Sequence, residues 1–109
     1  PMTYVAINVL TVPEAGGAVL EERFAARRQS VDQAPGFLSF ELLRPLSGTQ
    51  DYLVVTRWRE QADFEAWTES QSFRAGHAQA SDRPEGQRPA ATGSTIWAFD
   101  VAQESWPQA

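Results

Sequence analysis

Three short segments, TYVAINVLTV (3–12), FLSFELLRPL (37–46) and DYLVVTRWRE (51–60), carry apolar residues at both odd and even positions. Successive side chains of a strand point to opposite faces, and a sheet wetted on one side alternates apolar with polar. Here Val5, Ile7 and Val9 make one row, and Tyr4, Ala6, Asn8 and Leu10 the other. Leu38, Phe40 and Leu42 oppose Phe37 and Leu43, and Leu53 and Val55 oppose Tyr52, Val54 and Trp58. A layer of helices covers one such face. The second needs another cover, either a ligand or the sheet of a second copy, and a two-fold dimer supplies the latter with closed symmetry.

The remaining segments complete the pattern. EAGGAVLEERFAARRQSVDQA (14–34) places Leu20, Phe24 and Val31 at helical spacing and is closed by Pro35-Gly36. Ser47-Gly48-Thr49-Gln50 joins the second and third segments as an antiparallel hairpin. QADFEAWTES (61–70) and QSFRAGHAQA (71–80) read as two short helical pieces, the polar stretch 81–94 as a loop, and TIWAFDVA (95–102) as a last strand. The order β-α-β-β-α-β predicts an α+β, ferredoxin-like antiparallel sheet with helices on one face. With the apolar second face it predicts a dimeric α+β barrel. The single domain is expected over 2–103, with 104–109 a weakly ordered tail or a partner contact.

Composition narrows the function. A chain of 109 residues is one small domain, which gains from pairing. Nine basic residues against fourteen acidic ones give a net charge of −5, which argues against nucleic acid. No cysteine is present, which removes thiolate chemistry and sulfur-ligated metals. No apolar run approaches the roughly 18 residues of a membrane span. No signal peptide precedes Met2, Pro1 is expected to be an added residue, and cytoplasm is the plain expectation.

Four residues stand out. Asn8 interrupts an apolar row, and a buried amide without partners costs about 1–3 kcal/mol, so it either bonds neighbouring backbone or faces a cavity where something meets it. Trp67 follows Phe64 by three residues and is either core or lining. His77 is the only histidine and shares a helical face with Phe73; it is a structural side chain, an acid or base, or a metal ligand. Arg27 falls in the stripe of Leu20, Phe24 and Val31, with Arg23 on its edge. Its guanidinium either reaches past apolar surface to water or grips a carboxylate. Taken singly, each is accounted for by packing or solvation.

Their conjunction is more specific. VAINVL around Asn8, PGFLSFELLRP, DFEAWTESQSF around Trp67 and SFRAGH around His77, with W-x₉-H spacing, resemble the antibiotic biosynthesis monooxygenase (ABM) domain of the IsdG-type haem-degrading monooxygenases. The resemblance runs from the first strand to His77 and more loosely into the last strand. It implies a homodimeric barrel that binds haem, with His77 as the iron ligand and Asn8 and Trp67 lining the opposite side. It also implies dioxygen and an electron donor or reductase as co-reactants, with haem as both cofactor and substrate, opened with release of iron. Gly76, where a helix former is expected, and the polar 81–94 stretch depart from the pattern.

Haem is a flat, mostly apolar body with two carboxylates, so its site needs an apolar slot, an axial ligand and cations at the rim. Phe24 and Phe73 are expected in the slot. Arg23, Arg27 and Arg74, with Arg83 and Arg88, are candidates for the propionates. The amide NH₂ of Asn8 would donate a hydrogen bond to the reacting dioxygen, and Trp67 would press on the macrocycle. Two other readings use the same residues. One is a cofactor-independent ABM monooxygenase of a phenolic or quinol polyketide, with His77 as acid or base. The other is a non-catalytic haem-binding dimer.

Overall fold

The computed structural model describes residues 3–26, 30–70 and 92–108. Four strands, β1 (Tyr4–Thr11), β2 (Phe37–Leu43), β3 (Tyr52–Trp58) and β4 (Gly93–Asp100), form one sheet in the order β2-β3-β1-β4. Every neighbouring pair is antiparallel. Helices α1 (Gly17–Ala26) and α2 (Gln61–Thr68) follow β1 and β3. The expected α+β, ferredoxin-like arrangement is the one observed.

One face of the sheet carries the helices. Tyr4 and Ala6 of β1 and Trp58 of β3 form a buried cluster with Val31, against which Phe37, Phe64 and Trp67 pack. Leu10 and Tyr52 form a second cluster with Leu20 of α1, joined by Phe24, Leu42 and Val54. Trp58 has no exposed surface. Its Nε1 donates to Thr56 Oγ1 at 2.9 Å, and that hydroxyl donates to the Ala6 carbonyl at 3.4 Å, so the indole's polar atom has a partner. The other face is apolar along β1, but Ser39, Glu41 and Arg57 of β2 and β3 also lie on it. Its central Val5, Val9 and Val55 are buried, whereas Leu43, Trp97 and Phe99 toward its flanks are 41%, 48% and 50% exposed.

Three local expectations are corrected. The first helix does not span 14–34. It starts at Gly17, because Gly16 N–H donates to the Pro13 carbonyl at 2.8 Å and Ala15 sits at φ 66°, a turn that a helix cannot contain. Val31 is buried, but from a 3₁₀ turn (Ser30–Gln33) rather than from the α1 stripe. In β2, a register shift between Phe37 and Ser39 reverses the alternation. Phe37 therefore shares the helix-covered face with Phe40 and Leu42 instead of opposing them, and its ring lies edge-on to Trp58 at 5.6 Å. Finally, β4 begins at Gly93, inside the stretch read as loop, where Thr92 N–H donates to the Thr11 carbonyl at 2.7 Å.

Candidate functional site

Asn8 lies on the helix-covered face, in one row with Ala6 and Leu10, and is half-buried between the two apolar clusters. Its cross-strand partners are Val54 of β3 and Ile96 of β4. Ser94, opposite Leu10, stands diagonally from it on the same face, and its Oγ donates to Asn8 Oδ1 at 2.7 Å. The carbonyl edge of the amide thus turns toward β4. The NH₂ edge carries two donors for which no hydrogen bond is recorded among the described residues.

Among the described residues, the helix layer ends beside Asn8. Both clusters draw on β1, β3 and the helices, and neither includes a residue of β4. Ser94, Ile96 and Ala98, the β4 residues that share the helix-side face with Asn8, are exposed, Ile96 to 60%. Among the described residues, an apolar strip with one oriented amide in its floor and one hydroxyl at its edge lies next to the core. Flat apolar molecules with a polar reacting centre suit such a surface.

Trp67 borders the same face from α2. Its ring centroid is 5.8 Å from Trp58 and 6.4 Å from Phe64, the i,i+3 neighbour read from the sequence. Phe64 in turn lies 5.7 Å from both Tyr4 and Trp58. Trp67 is half-buried, so it packs on the cluster containing Ala6, the residue before Asn8 in its row, and keeps surface uncovered. The start of α2 is held by Gly36, whose φ of +80° only glycine adopts without strain. A Cβ there would run into the Asp63 side chain, so the first turn of α2 sits directly on the Pro35-Gly36 turn. Arg59 N–H donates to the Gly36 carbonyl at 2.9 Å and locks the approach.

Of the other predicted residues, Arg23 is half-buried in the last turn of α1. Phe24 packs into the Leu10, Leu20 and Tyr52 cluster, 6.1 Å from the Phe40 ring, where it fills the space between α1 and β2. Arg27, Phe73, Arg74, His77, Arg83 and Arg88 lie outside the described residues. No group of three or more metal-binding side chains occurs among the described residues, nor does a helix long and apolar enough to cross a membrane.

Sequence reasoning missed two groupings. Ser94 ends the polar stretch whose composition predicts a loop, and only the β1–β4 register reveals it as a neighbour of Asn8. The second is Glu21, which accepts two hydrogen bonds from Arg44, at 2.6 and 2.8 Å, and one from the Tyr52 hydroxyl at 2.5 Å. The Arg44 guanidinium, then the Tyr52 hydroxyl, hold the Glu21 carboxyl down at about 2. The same bonds raise the Arg44 and Tyr52 values. Tyr52 OH would lie only 2.5 Å from a Cβ on Gly17, so this ring fixes the start of α1. The spacing of 23 and 31 residues between partners left no local signal.

Over residues 3–79 the sequence matches the family described as Antibiotic biosynthesis monooxygenase. The chain belongs to this family. Among ABM relatives, it is 42% identical over 102 residues to the heme oxygenase (mycobilin-producing) of Mycobacterium tuberculosis, covering 92% of this chain and 90% of that one. It is 35% identical over 81 residues to the heme-degrading monooxygenase of Bacillus cereus, covering 72% and 74%. A solved structure of the heme-degrader MhuD from Mycobacterium tuberculosis, with two hemes bound in its active site, matches with a TM-score of 0.79 at 40% identity. That match covers 94% of this chain and 99% of that one.

Proposed function

We propose that this ABM protein degrades haem: it binds the porphyrin, consumes dioxygen and electrons from a donor or reductase to open the ring, and releases the iron. The observation that carries the reading is the helix-side strip beside β4, where Asn8 turns its amide donors away from Ser94 amid Ile96, Ala98 and the Trp67 cluster. A mostly apolar disc fits that surface. The names and bound hemes of the relatives support the same substrate.

The iron at which oxygen reacts comes with the substrate. What the chain adds is placement and polarity. Asn8 supplies preorganised N–H donors where negative charge develops on oxygen. Trp67, held by Trp58 and Phe64, bears on the face of the macrocycle and distorts it. His77 is assigned as the iron ligand, with Phe73 and Phe24 along the slot and Arg23, Arg27 and Arg74 toward the propionates. The exposed Leu43, Trp97 and Phe99 support a homodimer formed through the outer sheet face. Residues 2–103 form the domain, 104–109 are its tail, and a cytoplasmic location accompanies the reading.

The test is an absorption titration with haem, then aeration with ascorbate or a reductase, with catalase present and absent. Loss of the Soret band together with iron captured by a chelator is expected. Intact haem after many hours with several donors would make the protein a haem reservoir. His77→Ala should lose stoichiometric axial ligation while staying folded, and an unchanged Soret band and affinity would assign the ligand elsewhere.

A further inference from the structure

Asn8 can act on a substrate only if the correct edge of its amide faces it. A terminal carboxamide torsion is broad and roughly two-fold, so an unsupported asparagine presents oxygen or NH₂ with little preference. Ser94 Oγ donates to Asn8 Oδ1 at 2.7 Å, a short O–H···O distance, across a strand pair 86 residues apart in sequence. We propose that Ser94 is a positioning residue that fixes the Asn8 carboxamide with its NH₂ edge toward the substrate; this rests on the haem-degrading assignment of the site.

Three observations support it. First, Ser94 is well placed to hold a direction. It lies at the second position of β4, next to the backbone bond from Thr92 to Thr11 and a 3.3 Å bond from Thr92 Oγ1 to the same carbonyl. A partner on a pinned strand transmits its geometry, whereas a loop residue does not. Second, the polarity is the useful one. A donor on Oδ1 draws electron density toward that oxygen and makes the N–H groups better donors. The reverse orientation, with Ser94 accepting from the amide, would turn a carbonyl oxygen toward developing negative charge. Third, the other neighbours of Asn8 in its sheet row, Val54 and Ile96, are aliphatic and cannot orient it. Water competes for an exposed hydroxyl in the free chain. A substrate held against the strip excludes that water, so the hydrogen bond counts most when the site is filled.

The experiment uses Ser94→Ala, with Ser94→Thr as the conservative variant that restores a hydroxyl and Asn8→Ala as reference. In the haem-free protein, the Asn8 side-chain NH₂ pair, identified by its disappearance in Asn8→Ala, should shift or broaden in Ser94→Ala and return toward its place in Ser94→Thr. In the haem complex reduced under carbon monoxide, the C–O stretch of Ser94→Ala should move toward that of Asn8→Ala. Haem affinity should stay at the wild-type value while the rate of Soret loss falls about three- to tenfold, the size of one neutral hydrogen bond. An unmoved NH₂ pair, stretch and rate in Ser94→Ala would overturn the positioning role, whatever the enzyme does. Wild-type protein that neither binds nor consumes haem would instead overturn the assignment of the site, and the NH₂ resonances would still decide the role of Ser94.

Discussion

Trp58→Ala should remove the keystone under the candidate site. Trp58 is fully buried and meets Phe37, Phe64 and Trp67 at centroid separations of 5.6, 5.7 and 5.8 Å. Truncating a buried tryptophan costs roughly 3–5 kcal/mol in transfer and cavity terms. The lost Nε1 donor adds little, because the Thr56 hydroxyl keeps its bond to the Ala6 carbonyl. A total of about 4 kcal/mol is a large part of the roughly 5–15 kcal/mol that holds a small domain together. With m of about 1–3 kcal/mol/M in urea, the midpoint should fall by roughly 1.3–4 M. The assay is urea unfolding at fixed protein concentration, since association adds to apparent stability. Trp58→Phe should keep most ring contacts and lose less than half as much. A midpoint shift below about 0.5 M for Trp58→Ala, with m unchanged, would mean that the cluster closes over the gap and that Trp67 is placed by something else.

Glu21 is held at about 2 against its ordinary 4.5, so its contribution to stability is complete above about pH 4.5 and is lost as the pH falls toward 2. Glu21→Gln should flatten the urea midpoint over that window, and equal slopes in both proteins would refute the coupling. Gly36→Ala should cost at least about 1–2 kcal/mol for a left-handed backbone, with more for displacing Asp63; a cost under about 0.5 kcal/mol would contradict the seating of α2. Trp97→Glu combined with Phe99→Glu should turn a dimer into a monomer by sedimentation at micromolar concentration, and a wild-type chain that is already monomeric there would rule out the outer face as the interface.

The fold was legible where a signal is local. Apolar rows on both sides of the strands, the Ser47–Gln50 turn and the Pro35-Gly36 stop placed the elements in order along the chain, and the structure follows that order. Errors arose where backbone geometry overrode side-chain periodicity. The spacing of Leu20, Phe24 and Val31 reads as one helix over 14–34, yet a positive φ at Ala15 delays α1 to Gly17. The β2 bulge is invisible to period-2 counting, because Phe37, Leu38 and Phe40 are apolar in either phase.

The site shows the same division. Asn8 could be singled out because a polar residue in an apolar row is a property of one strand, and Trp67 because Phe64 marks its face. Ser94 could not be, because its meaning depends on how β4 aligns with a strand 86 residues away. A slip of one residue would send Ser94 to the outer face and bring Thr95 beside Asn8. Hydrophobic patterning does not prevent that slip, since one row of β4 holds Ile96 and Ala98 and the other Trp97 and Phe99. The register is instead pinned from both ends of β1, by Thr92 N–H on the Thr11 carbonyl at 2.7 Å and by Val101 N–H on the Thr3 carbonyl at 2.8 Å. The proposed role of Ser94 therefore depends on the β1–β4 register that brings it beside Asn8.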